Sequence, residues 1–220
     1  MKRIDWLAAT RRDVPRLDDA LLRAAAGLPA ATLHEAGGKL GALPAGLRPI
    51  APGMALAGRA LTVHGPGGDN LWLHRALDIA APGDVLVVCT GGVREHGYWG
   101  EIMATMAQAR GVAGLVIDGC VRDGARLAQM GFPVFARGLA MRGTGKDFGA
   151  LGWINHPIRL GDVTVHAGDL IVADGDGVVA VPFARVADVV EKAQGRERDE
   201  AAILRRLAAG EATLDVYGWR

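Results

Sequence analysis

Two short apolar runs, each edged by glycine, dominate the hydrophobic pattern. They are Gly83-Asp84-Val85-Leu86-Val87-Val88-Cys89 and Ala113-Gly114-Leu115-Val116-Ile117-Asp118-Gly119. Continuous apolar character over so few residues marks a strand buried on both faces. Between the runs, Ile102, Met103, Met106 and Ala109 or Arg110 recur at three- and four-residue spacing, which leaves Thr105 and Gln108 for the opposite face. That spacing predicts an amphipathic helix over Glu101–Arg110. Strand, helix, strand in this order implies parallel neighbours joined by a right-handed crossover.

The rest of the chain reads in the same way. A short helix opening on Pro15 is predicted over residues 15–26, and another over 32–36 that stops at Gly37-Gly38. Leu56 to Val63 reads as a strand, followed by a turn at Gly65-Pro66-Gly67-Gly68 and a helix from Asn70 to about Ala80. A helix from Arg122 to Met130 ends at Gly131, and Pro133 to Ala136 is a short strand. Residues 138–161 are glycine-rich and aperiodic, so they read as a long surface loop. Val163–Val165, Leu170–Ala173 and Val178–Val181 read as β-structure, with Asp174-Gly175-Asp176-Gly177 as a tight hairpin turn. A charged helical segment from about Phe183 to Ala209, short of fully continuous, closes the chain. No internal repeat or linker divides residues 1–220, so one α/β domain is expected.

Composition narrows the partners. With 25 basic and 24 acidic side chains the formal charge is +1, so no global attraction to nucleic acid or anionic membrane is expected. Small molecules and copies of the chain itself are the expected partners. Cys89 and Cys120 each end a predicted buried strand and suit free thiols in a reducing compartment. Lys2 and Arg3 are followed by Asp5, Arg11, Arg12 and Asp13, which interrupt any leader, and no stretch approaches the ~20 apolar residues of a membrane span. A cytoplasmic, soluble protein is the expectation.

Candidate chemistry gathers at the ends of the two buried runs. Glu101 is followed by twenty residues and then Arg122-Asp123, which puts two carboxylates and a guanidinium at neighbouring strand ends, where open α/β sheets build their sites. The helix beginning at Gly100 would turn its unpaired N–H groups and positive dipole end toward a substrate carboxylate. Arg122 can add a bidentate contact, and Asp123 can hold a hard cation, which needs only one or two carboxylates plus water and substrate oxygens. A plainer reading stays open on these residues alone: a first-turn charge at Glu101 and a solvated helix start at Arg122-Asp123.

Other motifs carry less. Gly175-Asp176-Gly177-Val178-Val179-Ala180 precedes a strand, whereas a dinucleotide fingerprint must open a helix. Gly143-Thr144-Gly145-Lys146 lacks both the earlier glycine and the hydroxyl residue of a phosphate loop. The six histidines never fall at zinc-site spacing, and His74 reads from spacing alone as structural. Asp174 and Asp176 lack the downstream glutamate of a calcium loop. None of the four lysines, Lys2, Lys39, Lys146 and Lys192, lies in an apolar run that would depress its pKa, which disfavours imine chemistry.

The stretch from Gly100-Glu101 through Ala109-Arg110-Gly111-Val112-Ala113 to Val121-Arg122-Asp123, continued by Gly131-Phe132-Pro133-Val134-Phe135-Ala136-Arg137-Gly138, closely resembles the RraA-like family. The likeness extends through Gly161-Asp162-Val163-Thr164-Val165, Gly168 to Asp174 and Asp176 to Pro182. Enzymatic members of that family are class II 4-hydroxy-4-methyl-2-oxoglutarate/4-carboxy-4-hydroxy-2-oxoadipate aldolases.

The resemblance implies an α-β-β-α sandwich of the swivelling phosphohistidine-domain type, assembled into trimers or hexamers with sites between subunits. It implies Mg²⁺ or Mn²⁺ as cofactor, a small 2-oxo acid as substrate and oxaloacetate decarboxylation as a side activity. Asp123 resembles the metal-ligating aspartate, Arg122 the arginine that polarises the oxo acid, and Glu101 the acid that holds metal-bound water. Gly100 and the amides of Ile102 and Met103 resemble the carboxylate grip. Glu35 and His74 resemble further active-site positions, and Glu200 the glutamate contributed by an adjacent subunit, with Glu197 the alternative. Two departures stand out: Glu101 replaces a frequent aspartate, and Arg126 replaces a frequent acid. Two rival expectations remain, a related metal-dependent lyase acting on another 2-oxo acid and a non-catalytic regulator of ribonuclease activity, whose members in the family typically lack an aspartate after the arginine. A methyltransferase label also attached to the family finds no nucleotide-cradling loop here.

Overall fold

A computed structural model describes residues 4–220; the Lys2-Arg3 pair lies outside them. The chain runs α1 (Asp19–Ala26), α2 (Ala30–Ala36), β1 (Arg48–Pro49), β2 (Leu56–His64), α3 (Leu71–Ile79), β3 (Asp84–Cys89), α4 (Glu101–Ala109) and β4 (Gly114–Ile117). It continues with α5 (Gly124–Met130), β5 (Val134–Ala136), β6 (Trp153–Ile154), β7 (Ile158–Leu160), β8 (Val163–Val165), β9 (Leu170–Asp174) and β10 (Gly177–Val181). A 3₁₀ turn, Phe183–Arg185, leads into α6 (Val186–Ala208) and α7 (Thr213–Val216).

The main sheet has the order β1-β5-β4-β3-β2-β9-β10. Strands β2 to β5 are parallel neighbours, so the expected β3–α4–β4 crossover is present. The β9–β10 hairpin adds antiparallel strands beside β2. The two edges then meet: Ala42 bridges Val179, and the Arg48 guanidinium donates to the Gly175 and Asp176 carbonyls. The sheet therefore nearly closes into a barrel.

Side-chain alternation divides the apolar residues into two faces. Val85 and Val87 of β3, Val116 of β4 and Ile171 of β9 point into the barrel, where Leu160 and Val165 of the β7–β8 hairpin join them. Leu86, Val88, Leu115 and Ile117 point outward, beneath Trp72 and Leu73 of α3, Met103 of α4 and Leu127 of α5. On the far side Leu170, Val172, Val179 and Val181 pack under Leu33 of α2 and Val186, Val189 and Val190 of α6. Helices, sheet, sheet, helices is the layering the resemblance implied.

Several boundaries move. α1 begins at Asp19 because the Asp18 carboxylate accepts the Ala20 N–H at 2.6 Å as the N-cap; Pro15 lies in the preceding strap. α2 starts earlier, at Ala30. α5 begins after Arg122-Asp123, since Asp123 is its N-cap in the left-handed region. The largest correction concerns residues 138–161. That segment is not simply a surface loop: β6 pairs antiparallel with β2 and β7 with β8, burying Ile154, Ile158 and Leu160. Strands of two or three residues are too short to show periodicity. α6 is one continuous helix of 23 residues. No helix among the described residues is long and apolar enough to cross a membrane.

Candidate active site

The site forms where the segments after β3 and β4 meet. The Arg122 N–H donates to the Trp99 carbonyl at 2.8 Å, the Tyr98 N–H to Cys120 at 3.1 Å, and the Gly97 N–H to Arg142 at 2.8 Å. The first two bonds lay Gly97–Gly100 against Cys120–Asp123, and the third ties Gly97 to the segment at Arg142. Gly97 and Gly100 are required for space: a Cβ on Gly97 would sit 2.9 Å from the Arg122 Cβ, and one on Gly100 would sit 2.3 Å from the Asp123 Oδ2. Gly100 has φ −159°, an extended backbone open to any residue, so the bulk of a side chain is what excludes one.

Asp123 has φ +60°, an uncommon conformation for a residue other than glycine. Holding it there costs about 1–2 kcal/mol. Its carboxylate does not cap its own helix. Instead Oδ2 accepts the Glu101 N–H at 3.1 Å and lies 3.8 Å from the Arg122 Nε. The aspartate thus occupies one orphan amide of α4 and leaves those of Ile102 and Met103, which have no intrahelical partner, for a ligand. Arg122, Asp123, Gly100, Ile102, Met103 and His74 all line one cavity of about 250 Å³.

Sequence reasoning missed the opposite wall. Lys146, Asn70, Tyr98 and Thr144 also line this cavity. The Asn70 Nδ2 donates to the Tyr98 carbonyl at 2.9 Å, and the Lys146 Nζ donates to the Asn70 Oδ1 at 2.9 Å. Asp69, buried, pins both segments by accepting the Leu71 N–H at 2.7 Å and the Asp147 N–H at 2.5 Å. The segment set aside as a failed phosphate loop is therefore a wall of the site. Lys146 and the Asn70 it bonds are 76 residues apart in the chain, which no local motif signals.

His74 lies half-buried on α3. Desolvation first and Lys146 second hold its pKa below the ordinary 6.5, with Asp69 acting the other way. Burial lowers His64 similarly. A histidine kept neutral in the fold but free to protonate when unfolded stabilises fully above 6.5 and loses that contribution as pH falls through and below it. His74→Gln should accordingly lose less Tm than the parent between about pH 8 and about pH 5.5. Equal losses in calorimetric scans would contradict this.

Residues 14–180 match the family model described as Aldolase/RraA. The chain belongs to the RraA-like family. A Halalkalibacterium halodurans protein provisionally named as a 4-hydroxy-4-methyl-2-oxoglutarate aldolase is 33% identical over 86% of this chain and 90% of its own length. Among solved structures, an uncharacterized Pseudomonas syringae protein superposes with TM-score 0.83 at 28% identity, covering 96% of this chain and 98% of that one. The Streptomyces coelicolor protein RraAS2, described as an unusual member of an RNase ES inhibitor family, superposes with TM-score 0.75 at 29% identity over 85% and 96%.

The remaining acids expected from the RraA-like resemblance lie apart from this cavity within one chain. The Glu101 carboxylate is held by Arg126 at 3.0 Å, beside the cavity and not among its lining groups. The two departures from the family pattern therefore meet as an ion pair. Glu35 sits on α2, 3.9 Å from Lys39. Glu200 is half-buried on α6 and paired with Arg196 at 2.7 Å, while Glu197 accepts the Thr32 hydroxyl at 2.6 Å within the chain. Of these two, Glu200 is the one presented to solvent through a surface pair. No group of three or more His, Cys, Asp or Glu side chains able to hold a metal occurs among the described residues.

Proposed function

We propose that the chain is a divalent-metal-dependent aldolase. On this reading it cleaves 4-hydroxy-4-methyl-2-oxoglutarate or 4-carboxy-4-hydroxy-2-oxoadipate to pyruvate plus pyruvate or oxaloacetate. The observation that carries this reading is the Gly100–Asp123 pair: a strained aspartate beside an arginine, with the space over its carboxylate kept clear by a glycine. The donor set fits a hard cation. One carboxylate with open surroundings suits Mg²⁺ or Mn²⁺, which complete their shell with water and substrate oxygens, and does not suit a closed zinc cage. Asp123 would hold the ion, which when bound supplies Lewis-acid polarisation of the 2-oxo group.

The chain's own groups do the rest. The N–H groups of Ile102 and Met103 and the positive end of α4 receive the 1-carboxylate. Arg122 orients the 2-oxo oxygen and stabilises the charge that develops there. Transfer of the 4-hydroxyl proton to a water in the site turns C4 into a carbonyl, the C3–C4 bond breaks, and its electron pair delocalises onto the 2-oxo oxygen as pyruvate enolate. A water ordered by Glu101, or by the partner subunit's Glu200, returns a proton to C3. Oxaloacetate yields the same enolate by loss of carbon dioxide, so decarboxylation is an expected side activity. Assembly into trimers or hexamers is supported by the exposed second half of α6 and by Leu204 and Trp219, 65% and 67% exposed.

Lys146 in the cavity makes imine chemistry the alternative to eliminate. EDTA should abolish pyruvate release from these substrates and from oxaloacetate, with Mg²⁺ or Mn²⁺ restoring it, and borohydride with pyruvate should leave the protein mass unchanged. A reduced pyruvyl adduct on Lys146 would replace the metal reading. No metal-dependent pyruvate from any substrate would leave the rival reading of a regulator of ribonuclease activity, the family of RNase inhibitors in which RraAS2 is described.

A further inference from the structure

A second cavity, of about 400 Å³, opens at the other end of the parallel strands. Its position follows from the register: Arg59 and Asp84 in its wall pair across the start of β3, whereas the candidate active site follows the strands' carboxyl ends. Arg11, Arg12, Arg16 and Arg59 all line it, with Asp84 as the acidic group. That carboxylate is already committed. Its Oδ1 accepts the Arg59 Nε at 3.3 Å and its Oδ2 the Ala81 N–H at 2.9 Å.

Arg59 is buried, and its Nη2 donates to the Pro82 carbonyl, so this pair forms a neutral, fixed floor. Among the described residues, no carboxylate lies within ion-pair distance of Arg11, Arg12 or Arg16. The Arg11, Arg12 and Arg16 side chains carry no ion pair although Asp13 stands between them in the strap, and the whole chain carries a formal charge of only +1. The concentration of charge is local.

The strap that bears the arginines is tied down. Thr10 bridges Ile154, the Arg11 N–H donates to the Ile154 carbonyl at 3.0 Å, and the Asn155 Nδ2 donates to the Arg11 carbonyl at 3.0 Å. Leu7 and Ile79 add apolar surface beside the charges. A volume of this size lies in the range of small-molecule sites. We propose that this cavity binds a small polyanion, a molecule with two or more phosphate or carboxylate charges on a short apolar body. Arginine forks recognise either head group bidentately.

Calorimetric titration of the full chain with inorganic pyrophosphate and, separately, with propane-1,2,3-tricarboxylate tests the proposal and identifies the head group. Saturable binding of either or both is expected. It should weaken at least about tenfold in Arg11→Ala/Arg12→Ala, whose side chains carry no folding contact seen here, and persist in Arg122→Lys, which alters only the other site. Absence of binding by both probes, binding undiminished in the double variant, or binding lost in Arg122→Lys would overturn it.

Discussion

Asp123→Ala should lower kcat/KM for pyruvate release by about 10³-fold or more, because the cation loses its one direct carboxylate and the charge developing on the 2-oxo oxygen loses its partner to Arg122. The residue also stands at φ +60° and occupies the Glu101 amide, so function and stability separate in a second variant. Asp123→Gly forfeits the same capping bond but relieves the backbone. It should be equally inactive, yet about 1 kcal/mol more stable than Asp123→Ala. Denaturant titrations alongside kinetics check both halves. Near-normal turnover in either variant would show that the assigned ligand is wrong.

Gly100→Ala is expected to have the next largest effect. Its backbone accepts alanine, but the new methyl would sit 2.3 Å from the Asp123 Oδ2 and 3.2 Å from the Arg122 Cγ. The carboxylate must move while the Arg122 stem gives by only a few tenths of an ångström, and a displacement of about 1 Å at a reacting group costs on the order of 10²-fold in rate. Overpacking should cost about 1–3 kcal/mol of stability. A folded variant with kcat reduced and the circular dichroism spectrum of the parent is the expected result. Unchanged kcat would show that this carboxylate is not where the chemistry takes place.

The β3–α4–β4 unit was legible because continuous apolar runs and helical spacing are strong local signals, and it carries Gly100, Arg122 and Asp123 into place. The Asp174–Gly177 turn was legible from its Asp-Gly repeat, and it joins β9 to β10 in register. What could not be read was long-range. β6 and β7 are too short to show a period, and their pairing with β2 and β8 depends on the closing barrel. Lys146 reaches the site through the buried Asp69, whose hydrogen bonds join segments 78 residues apart. Arg126 read as a departure without a partner, whereas in the fold it meets the longer Glu101. Such pairing across helices α4 and α5 leaves no trace in either local sequence.

The central claim is metal-dependent carbon–carbon cleavage at Asp123, and product stoichiometry tests it most directly. Chelated enzyme restored with Mg²⁺ or Mn²⁺ should convert each 4-hydroxy-4-methyl-2-oxoglutarate consumed into pyruvate plus pyruvate, followed by coupled reduction with lactate dehydrogenase. The Asp123→Ala protein under the same conditions should release almost none. Equal release with and without metal, or from both proteins, would contradict the account.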